Sequence, residues 1–345
     1  MKKKAVTAVL LLLLTLTFSA CGGRSAVETE PDTTTDEKLI SVGFSQLGAE
    51  SDWRNANTES IRNALSEENG FSLNYKNGLQ KQSNQIKALR TFIQQEVDYI
   101  VLAPSTEEGW DTVLAEAKNA GIPVILVDRQ VNGDKDLYTS WVGSDFELEG
   151  RRMTTWIYNY THAKGIDQKD IHIVDLQGSI GSSAQIGRTK SLDVAVKQYG
   201  WDLLAKESAD FTENKGREVM ASLLRKYDNI NVVYCENDNE AIGAIDAIEA
   251  AGKKPGSDIL NGEIMVVSFD GINRDALEYA RNGKISCIAE CNPYQGQYVR
   301  NIIERLEKGE KPVKNKYVSE GLQSSIPDVQ TVTVNNERIG VTLLR

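Results

Sequence analysis

Residues 121–129, GIPVILVDR, carry the pattern that decides the fold. Gly121 and Pro123 mark the end of one helix and the start of a strand. The run Pro123–Val127 is apolar at every position, and Asp128 and Arg129 close it with charged groups. Continuous hydrophobicity is typical of a parallel strand that is buried on both faces of its sheet. The stretch therefore predicts a buried strand whose carboxyl end carries polar side chains.

The same pattern recurs along the chain from Lys38 onward. Short apolar runs alternate with segments of helical period such as Gln85–Glu96, in which Ile86, Leu89 and Ile93 are suitably spaced. The apolar runs are Leu39–Phe44, Tyr99–Leu102, Pro123–Val127, Ile171–Leu176, Val232–Tyr234, Ile264–Phe269 and Ile285–Ala289. This alternation predicts an α/β protein with parallel sheets. About 310 residues exceed one ordinary domain, so two Rossmann-like lobes are expected, each with its own sheet.

Polar residues follow most of the predicted strands. They are Ser45-Gln46, Pro104-Ser105, Asp128-Arg129, Gln177-Gly178, Glu236-Asn237-Asp238 and Asp270-Gly271. In open parallel sheets, ligands bind beyond the carboxyl ends of the strands. Donors and acceptors of both charge signs suit a small neutral molecule that is rich in hydroxyl groups.

The amino terminus has the features of an export signal. Lys2–Lys4 are positive, Ala5–Ser19 is apolar but short for a membrane span, and Ser19-Ala20 precede Cys21. The ending Phe-Ser-Ala-Cys resembles the bacterial lipobox, although Phe18 stands where Leu is usual. We expect a signal peptide over 1–21, a lipid anchor on Cys21 and a flexible tether over 22–37. An ordinary secretory signal with a chance cysteine is the alternative.

Charge and cysteine content narrow the possible partners. A formal net charge of −10 argues against nucleic acid and anionic lipid as ligands. Beyond Cys21 the cysteines are Cys235, Cys287 and Cys291, too few for a disulfide scaffold. The pair Cys287 and Cys291 could form a disulfide or bind a metal, but buried unreactive thiols are favoured. No metal or cofactor is predicted.

Several stretches together resemble one protein family. They are 42–45 with 50–54, 80–88, 125–129, 176–178 with Arg188, 210–216, 237–245 and 268–271. In this order they resemble the type I periplasmic sugar-binding proteins, which recognise the solute for an ATP-driven (ABC) importer. The Ser-x-Trp-Arg at 51–54 and the Gln-x-Gln at 80–82 look most like the galactofuranose-binding branch of the ribose/galactose-binding family.

The resemblance implies a binding role for individual residues. Trp53 and Phe211 would sandwich the sugar between aromatic faces. The other implied ligand-binding residues are Glu50, Ser51, Arg54, Asp128, Arg129, Arg188, Asn237, Asp270 and Glu290. Some alternatives stay open: Trp53 could be a core residue, and Asp128 and Arg129 a structural ion pair. Asn237 or Asp238 could cap the following helix, and this is favoured for Asp238.

The resemblance also implies the domain layout and a mechanism. The chain would cross between lobes near Gly143, Cys291 and Leu322. One lobe would comprise 38–143 plus 292–321, and the other 144–291 plus 322–345. A monosaccharide would draw the lobes together, and a membrane permease would recognise the closed form. The protein would work as a monomer outside the cytoplasm, anchored to the outer face of the cell membrane or in the periplasm.

Three other functions are weighed against this hypothesis. An enzyme is disfavoured because the sequence lacks a Gly-x-Ser-x-Gly, Gly-x-x-x-x-Gly-Lys or His-Glu-x-x-His motif. A sugar sensor that reports to a receptor kinase would use the same cleft, so this alternative stays open. The sugar-responsive repressors, which share the core fold, begin with a helix-turn-helix, whereas this chain begins with an export signal.

Overall fold

The computed structural model describes residues 38–345. The predicted signal peptide with Cys21 and the predicted tether over 22–37 lie outside the described residues. Within the described part no helix is both long and apolar enough to cross a bilayer.

The described chain alternates strands and helices, as the sequence predicts. The strands are β1 (Ile40–Gln46), β2 (Phe71–Asn77), β3 (Tyr99–Leu102), β4 (Val124–Val127), β5 (Ser140–Gly143), β6 (His172–Gln177), β7 (Asp202–Ser208), β8 (Val232–Cys235), β9 (Met265–Asp270), β10 (Cys287–Glu290), β11 (Asn315–Tyr317), β12 (Leu322–Ser324), β13 (Thr331–Val334) and β14 (Glu337–Leu343). The helices are α1 (Asp52–Ala64), α2 (Gln82–Gln94), α3 (Asp111–Asn119), α4 (Phe146–Ala163), α5 (Ser183–Tyr199), α6 (Glu213–Lys226), α7 (Asp238–Ala250), α8 (Arg274–Arg281) and α9 (Gly296–Glu307).

The strands form two sheets. The first sheet has the order β2-β1-β3-β4-β5-β11, and all of its pairings are parallel. The second sheet has the order β7-β6-β8-β9-β10-β12-β14-β13, and it is parallel from β7 to β10. The predicted fold class, two parallel α/β lobes, is confirmed.

Both faces of each sheet are covered, which explains the apolar strands. In β3, Tyr99 and Val101 pack into one hydrophobic cluster, whereas Ile100 and Leu102 pack into another on the opposite face. In the second sheet, Val232 and Val233 likewise pack into two different hydrophobic clusters on opposite faces. Successive side chains of a strand point to opposite faces, so a doubly covered strand needs an apolar residue at every position.

The chain passes between the two sheets in three connections. The first connection lies between β5 and α4, the second between β10 and α9, and the third between β11 and β12. With three connections joining the sheets, the carboxyl ends of the parallel strands of both sheets can border one cleft.

The helix at 82–94 differs from the predicted one in its buried face. Gln85, Leu89 and Phe92 are fully buried, whereas Ile86 and Ile93 are only half-buried. The buried amide of Gln85 is satisfied because its Nε2 donates to the Ala103 carbonyl at 2.8 Å and its Oε1 accepts from the Ser105 N–H at 3.0 Å. A glutamine therefore faces the sheet here and fixes the turn that follows β3.

Candidate functional site

Side chains from both sheets meet around a small cavity of about 30 Å³. This volume holds about two water molecules, since one water needs roughly 10–15 Å³, so a larger ligand enters only when the lining residues move apart. The lining residues are Glu50, Ser51, Trp53, Arg54, Asp128, Arg129, Phe146, Ala184, Arg188, Phe211, Asn237, Asp270 and Cys291. The structure thus brings together every predicted ligand-binding residue except Glu290.

The turn between β1 and α1 supplies Glu50 and Ser51, and the first turn of α1 supplies Trp53 and Arg54. Ser51 is the N-cap of α1, and its Oγ accepts from the Arg54 N–H at 3.2 Å. This cap fixes the first helical turn, which carries Trp53 and Arg54 into the cavity. Trp53 is buried, and its Nε1 donates to the Cys291 carbonyl at 2.7 Å. The indole ring is therefore held by a hydrogen bond to the second connection.

Three residues of the cavity have left-handed backbone conformations. The φ angles are 62° at Asp128, 62° at Phe211 and 95° at Asp270. A residue other than glycine in this region costs about 1–3 kcal/mol, and such residues concentrate at binding sites. Each of them follows or ends a strand, so the unusual backbone turns its side chain across the end of the sheet.

Arg54 and Arg129 lie in different electrostatic environments. Arg54 Nη2 is 2.6 Å from Asp128 Oδ2, and its Nε is 3.1 Å from Glu50 Oε1. Burial acts to lower the pKa of Arg54, but the charges of Asp128 and Glu50 outweigh it and the pKa is raised. Arg129 approaches the same carboxylates only at 3.8 and 3.9 Å. Burial, and then the charge of Arg54, lower the pKa of Arg129 to about 10.

Four buried polar atoms of this group have no hydrogen-bond partner within residues 38–345. They are Glu50 Oε2, Arg54 Nη1, Asp128 Oδ2 and Arg129 Nε, although Asp128 Oδ2 lies 2.6 Å from Arg54 Nη2 in an ion pair. Buried polar groups are nearly always hydrogen-bonded, so a set of orphans around one cavity indicates a ligand with both donors and acceptors. The three arginines and three acids that line the cavity balance in charge. An uncharged ligand fits this balance best.

The second-sheet side of the cavity is organised around Arg188. Its Nη2 lies 2.9 Å from Glu149 Oε2 and 3.6 Å from Asp270 Oδ1. Its Nη1 donates to the Glu236 carbonyl. Arg188 is predicted only from the family resemblance, and Glu149, which lies in the first turn of α4, is not among the predicted residues. Burial raises the pKa of Asp270, although the charge of Arg188 opposes this shift.

Asn237 links Phe211, the aromatic residue on the second-sheet side of the cavity, to the start of α7. It is the N-cap of α7, because its Oδ1 accepts from the Glu240 N–H at 2.8 Å. Its Nδ2 donates to the Phe211 carbonyl at 3.1 Å, and the Phe211 N–H donates to Glu240 Oε1 at 2.8 Å. The capping role thus belongs to Asn237. The favoured assignment of that cap to Asp238 was wrong.

Asp238 instead holds the turn after β9. Its carboxylate accepts hydrogen bonds from Ser268 Oγ at 2.8 Å and from the backbone N–H groups of residues 271–273 at 3.0–3.1 Å. This turn begins directly after Asp270. Asp238 therefore acts on the cavity through the backbone that carries Asp270.

Glu290 is the predicted residue that the structure does not bring to the cavity. Its carboxylate accepts from the Gly321 N–H at 2.7 Å and from Gln323 Nε2. Both partners belong to the segment that leads into and along β12. Glu290 therefore joins two connections between the sheets, and its hydrogen-bonding capacity is used there.

Phe146, Ala184 and Cys291 also line the cavity but were not predicted from sequence. These residues pack with Trp53 and Phe211 in one apolar cluster. Phe146 and Ala184 lie in the first turns of helices, where an apolar residue gives no sign that distinguishes it from the core. Cys235, Cys287 and Cys291 are free and buried, so the favoured prediction of buried thiols is confirmed.

We expect Gly178→Ala to weaken ligand binding by displacing Phe211. A Cβ atom at position 178 would lie 1.9 Å from Phe211 Cζ, too close for two carbon atoms that are not bonded, so the ring must move. Loss of one aromatic face should weaken binding about tenfold, or about 1.4 kcal/mol, by calorimetry. Gly340→Ala is the matched control, since no atom lies within 4 Å of its added Cβ. Equal affinities in both variants would argue against a role for the Phe211 ring.

Comparison with known proteins identifies the family. A family model described as a periplasmic binding protein domain matches residues 42–311. The galactofuranose-binding protein YtfQ of Escherichia coli is 40% identical over 281 residues, which are 80% of this chain and 85% of that protein.

Two solved structures are similar to this chain along most of their length. One, from Mycobacterium smegmatis in complex with beta-D-fucofuranose, has a TM-score of 0.77 and 38% identity, and the match covers 83% of this chain and 91% of that one. The other is the periplasmic binding component of the arabinose ABC transporter from Shewanella sp. ANA-3, bound to alpha and beta-L-arabinofuranose. Its TM-score is 0.75 at 36% identity, with 82% of this chain and 91% of that one covered. The chain belongs to the periplasmic binding protein family.

Proposed function

We propose that this periplasmic binding protein captures a monosaccharide in its furanose form and delivers it to an ABC importer. The observation that carries the proposal is the cavity, which is buried, balanced in charge and lined by polar atoms without partners. The relatives described above support it, because they are named for, or contain, furanose sugars. The family consists of solute-binding proteins, and the chain is not an enzyme.

The cavity offers the two kinds of contact that a sugar needs. Trp53 and Phe211 present apolar surface for the C–H groups of the ring. Glu50, Arg54 and Arg129 have free acceptor or donor atoms for its hydroxyl groups. A hydrogen bond to a charged group contributes about 1.5–3 kcal/mol. Four or five of them would suffice for micromolar affinity, about −8 kcal/mol, after the costs of ordering are subtracted.

Hydrogen bonds across the cleft support a closing mechanism. The Gln130 N–H donates to Ser183 Oγ at 3.0 Å, and the Glu107 N–H donates to the Gly181 carbonyl at 3.1 Å. We take the moving bodies to be residues 38–143 plus 292–321 and residues 144–291 plus 322–345. Sugar contacts and these hydrogen bonds form together on closure, so the ligand stabilises the closed form. The permease would then recognise the joined surface of both lobes.

The protein works outside the cytoplasm, as its family does. The sequence of residues 1–21 supports a finer proposal, in which Cys21 carries lipid and residues 22–37 tether a monomeric binding domain to the membrane. Palmitate labelling of wild type and Cys21→Ser would test the anchor. Labelling of both proteins, or of neither, would contradict it.

A thermal-shift screen tests the function. Galactofuranose, fucofuranose and arabinose would be compared with glucose and other sugars that are almost wholly pyranose in water. A ligand at about 100 times its Kd stabilises the native state by about 2.7 kcal/mol and raises Tm by several degrees. We expect shifts only from sugars that supply a furanose ring. A panel without any shift would contradict sugar binding, and shifts with pyranoses alone would contradict the ring form.

Arg129→Ala and Asp270→Ala should each weaken sugar binding by at least about 2 kcal/mol, roughly 30-fold. Each change leaves a sugar hydroxyl without its partner in a closed cavity. Arg62→Ala is the control, because Arg62 lies on α1 with 49% of its side chain exposed and outside the cavity. Calorimetry that finds unchanged affinity for both variants would remove these two residues from the site.

A further inference from the structure

The three connections between the sheets meet at one carboxyl group, that of Glu320. Its Oε1 accepts from Ser144 Oγ, in the first connection, at 2.6 Å. The same atom accepts from the Asn292 N–H, in the second connection, at 2.7 Å. Glu320 itself belongs to the third connection. A single oxygen atom therefore ties together all the segments that must bend when the lobes move.

A second buried carboxyl group lies next to it. One oxygen of Glu149, one of Glu320 and the sulfur of Cys291 lie within 4.8 Å of one another. Glu149 is 2% exposed, and its Oε2 accepts from Arg188 Nε at 3.0 Å. Its other oxygen, Oε1, is buried without a hydrogen-bond partner in the described part of the chain. Glu149 thus lies between the cavity arginine and the connecting segments.

Two ionised carboxylates in this position would repel each other without solvent to screen them. Burial, and then the charge of Glu149, raise the pKa of Glu320 to about 9. Burial also raises the pKa of Glu149, although the charge of Arg188 opposes this shift. A proton on one of the two neighbouring carboxyl groups would remove the repulsion, and a protonated Glu320 could supply the donor that Glu149 Oε1 lacks.

The cluster is poorly suited to a metal ion, although it contains a thiol and two carboxyl groups. Glu149 Oε2 is already engaged by Arg188, and Glu320 Oε1 already accepts two hydrogen bonds. The guanidinium at 2.9 Å from Glu149 would also repel a cation.

We propose that Glu149 and Glu320 share one proton in the native protein, with or without sugar, and thereby hold Arg188 in its ligand-binding position, so that loss of this proton weakens sugar binding. Glu149 is then a positioning residue for the cavity, and Glu320 carries its effect to all three connections. This inference rests on the proposed function. The charged and titratable groups around the pair are Arg152, whose Nη1 donates to the Glu320 carbonyl, Arg188, Asp270 and Cys291.

Glu320→Gln is the informative variant, because glutamine imitates the protonated acid at every pH. Its amide oxygen can keep the hydrogen bonds from Ser144 and Asn292, and its NH₂ can donate to Glu149 Oε1. Glu307→Gln is the matched control: Glu307 accepts from Tyr99 Oη at 2.6 Å and lies outside the connections.

The first measurement needs no sugar. A carboxyl group whose pKa is raised from 4.5 to about 9 contributes stability that is complete below pH 4.5 and is lost as the pH rises through about 9. In urea unfolding, the wild type and Glu307→Gln should therefore lose stability between about pH 5 and pH 9, and Glu320→Gln should lose clearly less. Equal losses in all three proteins would overturn the shared proton.

The second measurement tests the coupling to the ligand. The Kd of the wild type should rise about tenfold between about pH 6 and pH 9, and that of Glu320→Gln about threefold or less. Parallel Kd profiles would overturn the coupling. If the wild type bound no sugar at any pH, the proposed function would fail, and the unfolding measurement would still decide whether the proton is shared.

Discussion

Replacing Arg188 with alanine is expected to lower the free energy of unfolding by about 3–5 kcal/mol and to abolish measurable sugar binding. Arg188 is 2% exposed and lies between Glu149, at 2.9 Å, and Asp270, at 3.6 Å. Its removal leaves two carboxyl groups buried without a countercharge. They must then be protonated or draw water into the cavity, and either change removes the geometry that the ligand requires.

Arg217→Ala is a matched control for this prediction. Arg217 also contacts two carboxylates, those of Glu213 and Asp246, but 40% of its side chain is exposed. Exposed ion pairs contribute about 0–1 kcal/mol, so this variant should unfold and bind almost as the wild type does. If urea unfolding and calorimetry gave similar values for both variants, burial would not be the reason for the importance of Arg188.

Asp238→Ala is expected to lower the free energy of unfolding by about 3 kcal/mol or more. The change leaves three backbone N–H groups and the Ser268 hydroxyl without the carboxylate that accepts from them. Because the freed turn begins directly after Asp270, the affinity for sugar should fall as well. Urea unfolding measures the first effect, and calorimetry the second.

Two further variants test the cause. Asp238→Asn keeps one acceptor oxygen and should lie between the wild type and the alanine variant. Asp275→Ala removes an exposed acid from the first turn of the nearby α8 and should cost less than about 1 kcal/mol, the value of a charge at a helix terminus. If Asp275→Ala lowered the free energy of unfolding as much as Asp238→Ala does, the role of the buried carboxylate would be refuted.

The strands that were predicted from sequence all have both faces covered. β5 is also buried at every position but was missed, because the apolar run in its sequence SWVG is too short and follows a polar residue. Each of β1, β3, β4, β6, β8, β9 and β10 coincides with an apolar run. The edge strands β2 and β7 were missed because they are partly exposed and mix polar with apolar residues. Strands with an exposed face give no continuous signal, so their place is set by pairing with a neighbour, which a local sequence pattern does not contain.

The polar residues that line the cavity could be predicted from the sequence. The buried residues that hold them in position could not. Asp128 and Asp270 follow apolar runs directly, so position alone identifies them as candidates. Glu149 and Glu320 do not follow predicted strands, and their importance arises only when α4 and the third connection come together in space. Glu290 shows the reverse case, since a suitable position at a strand end did not bring it to the cavity.

The late position of β11 in the chain limits how early the first sheet can be completed. Residues 315–317 pair with Trp141, Val142 and Gly143, and all of the parallel strands of the second sheet lie between them in sequence. Contacts between distant residues form slowly because a long loop must close first. The first sheet therefore lacks its sixth strand until residues 315–317 have been synthesised, and the pairing of β11 with β5 is expected among the last steps of folding.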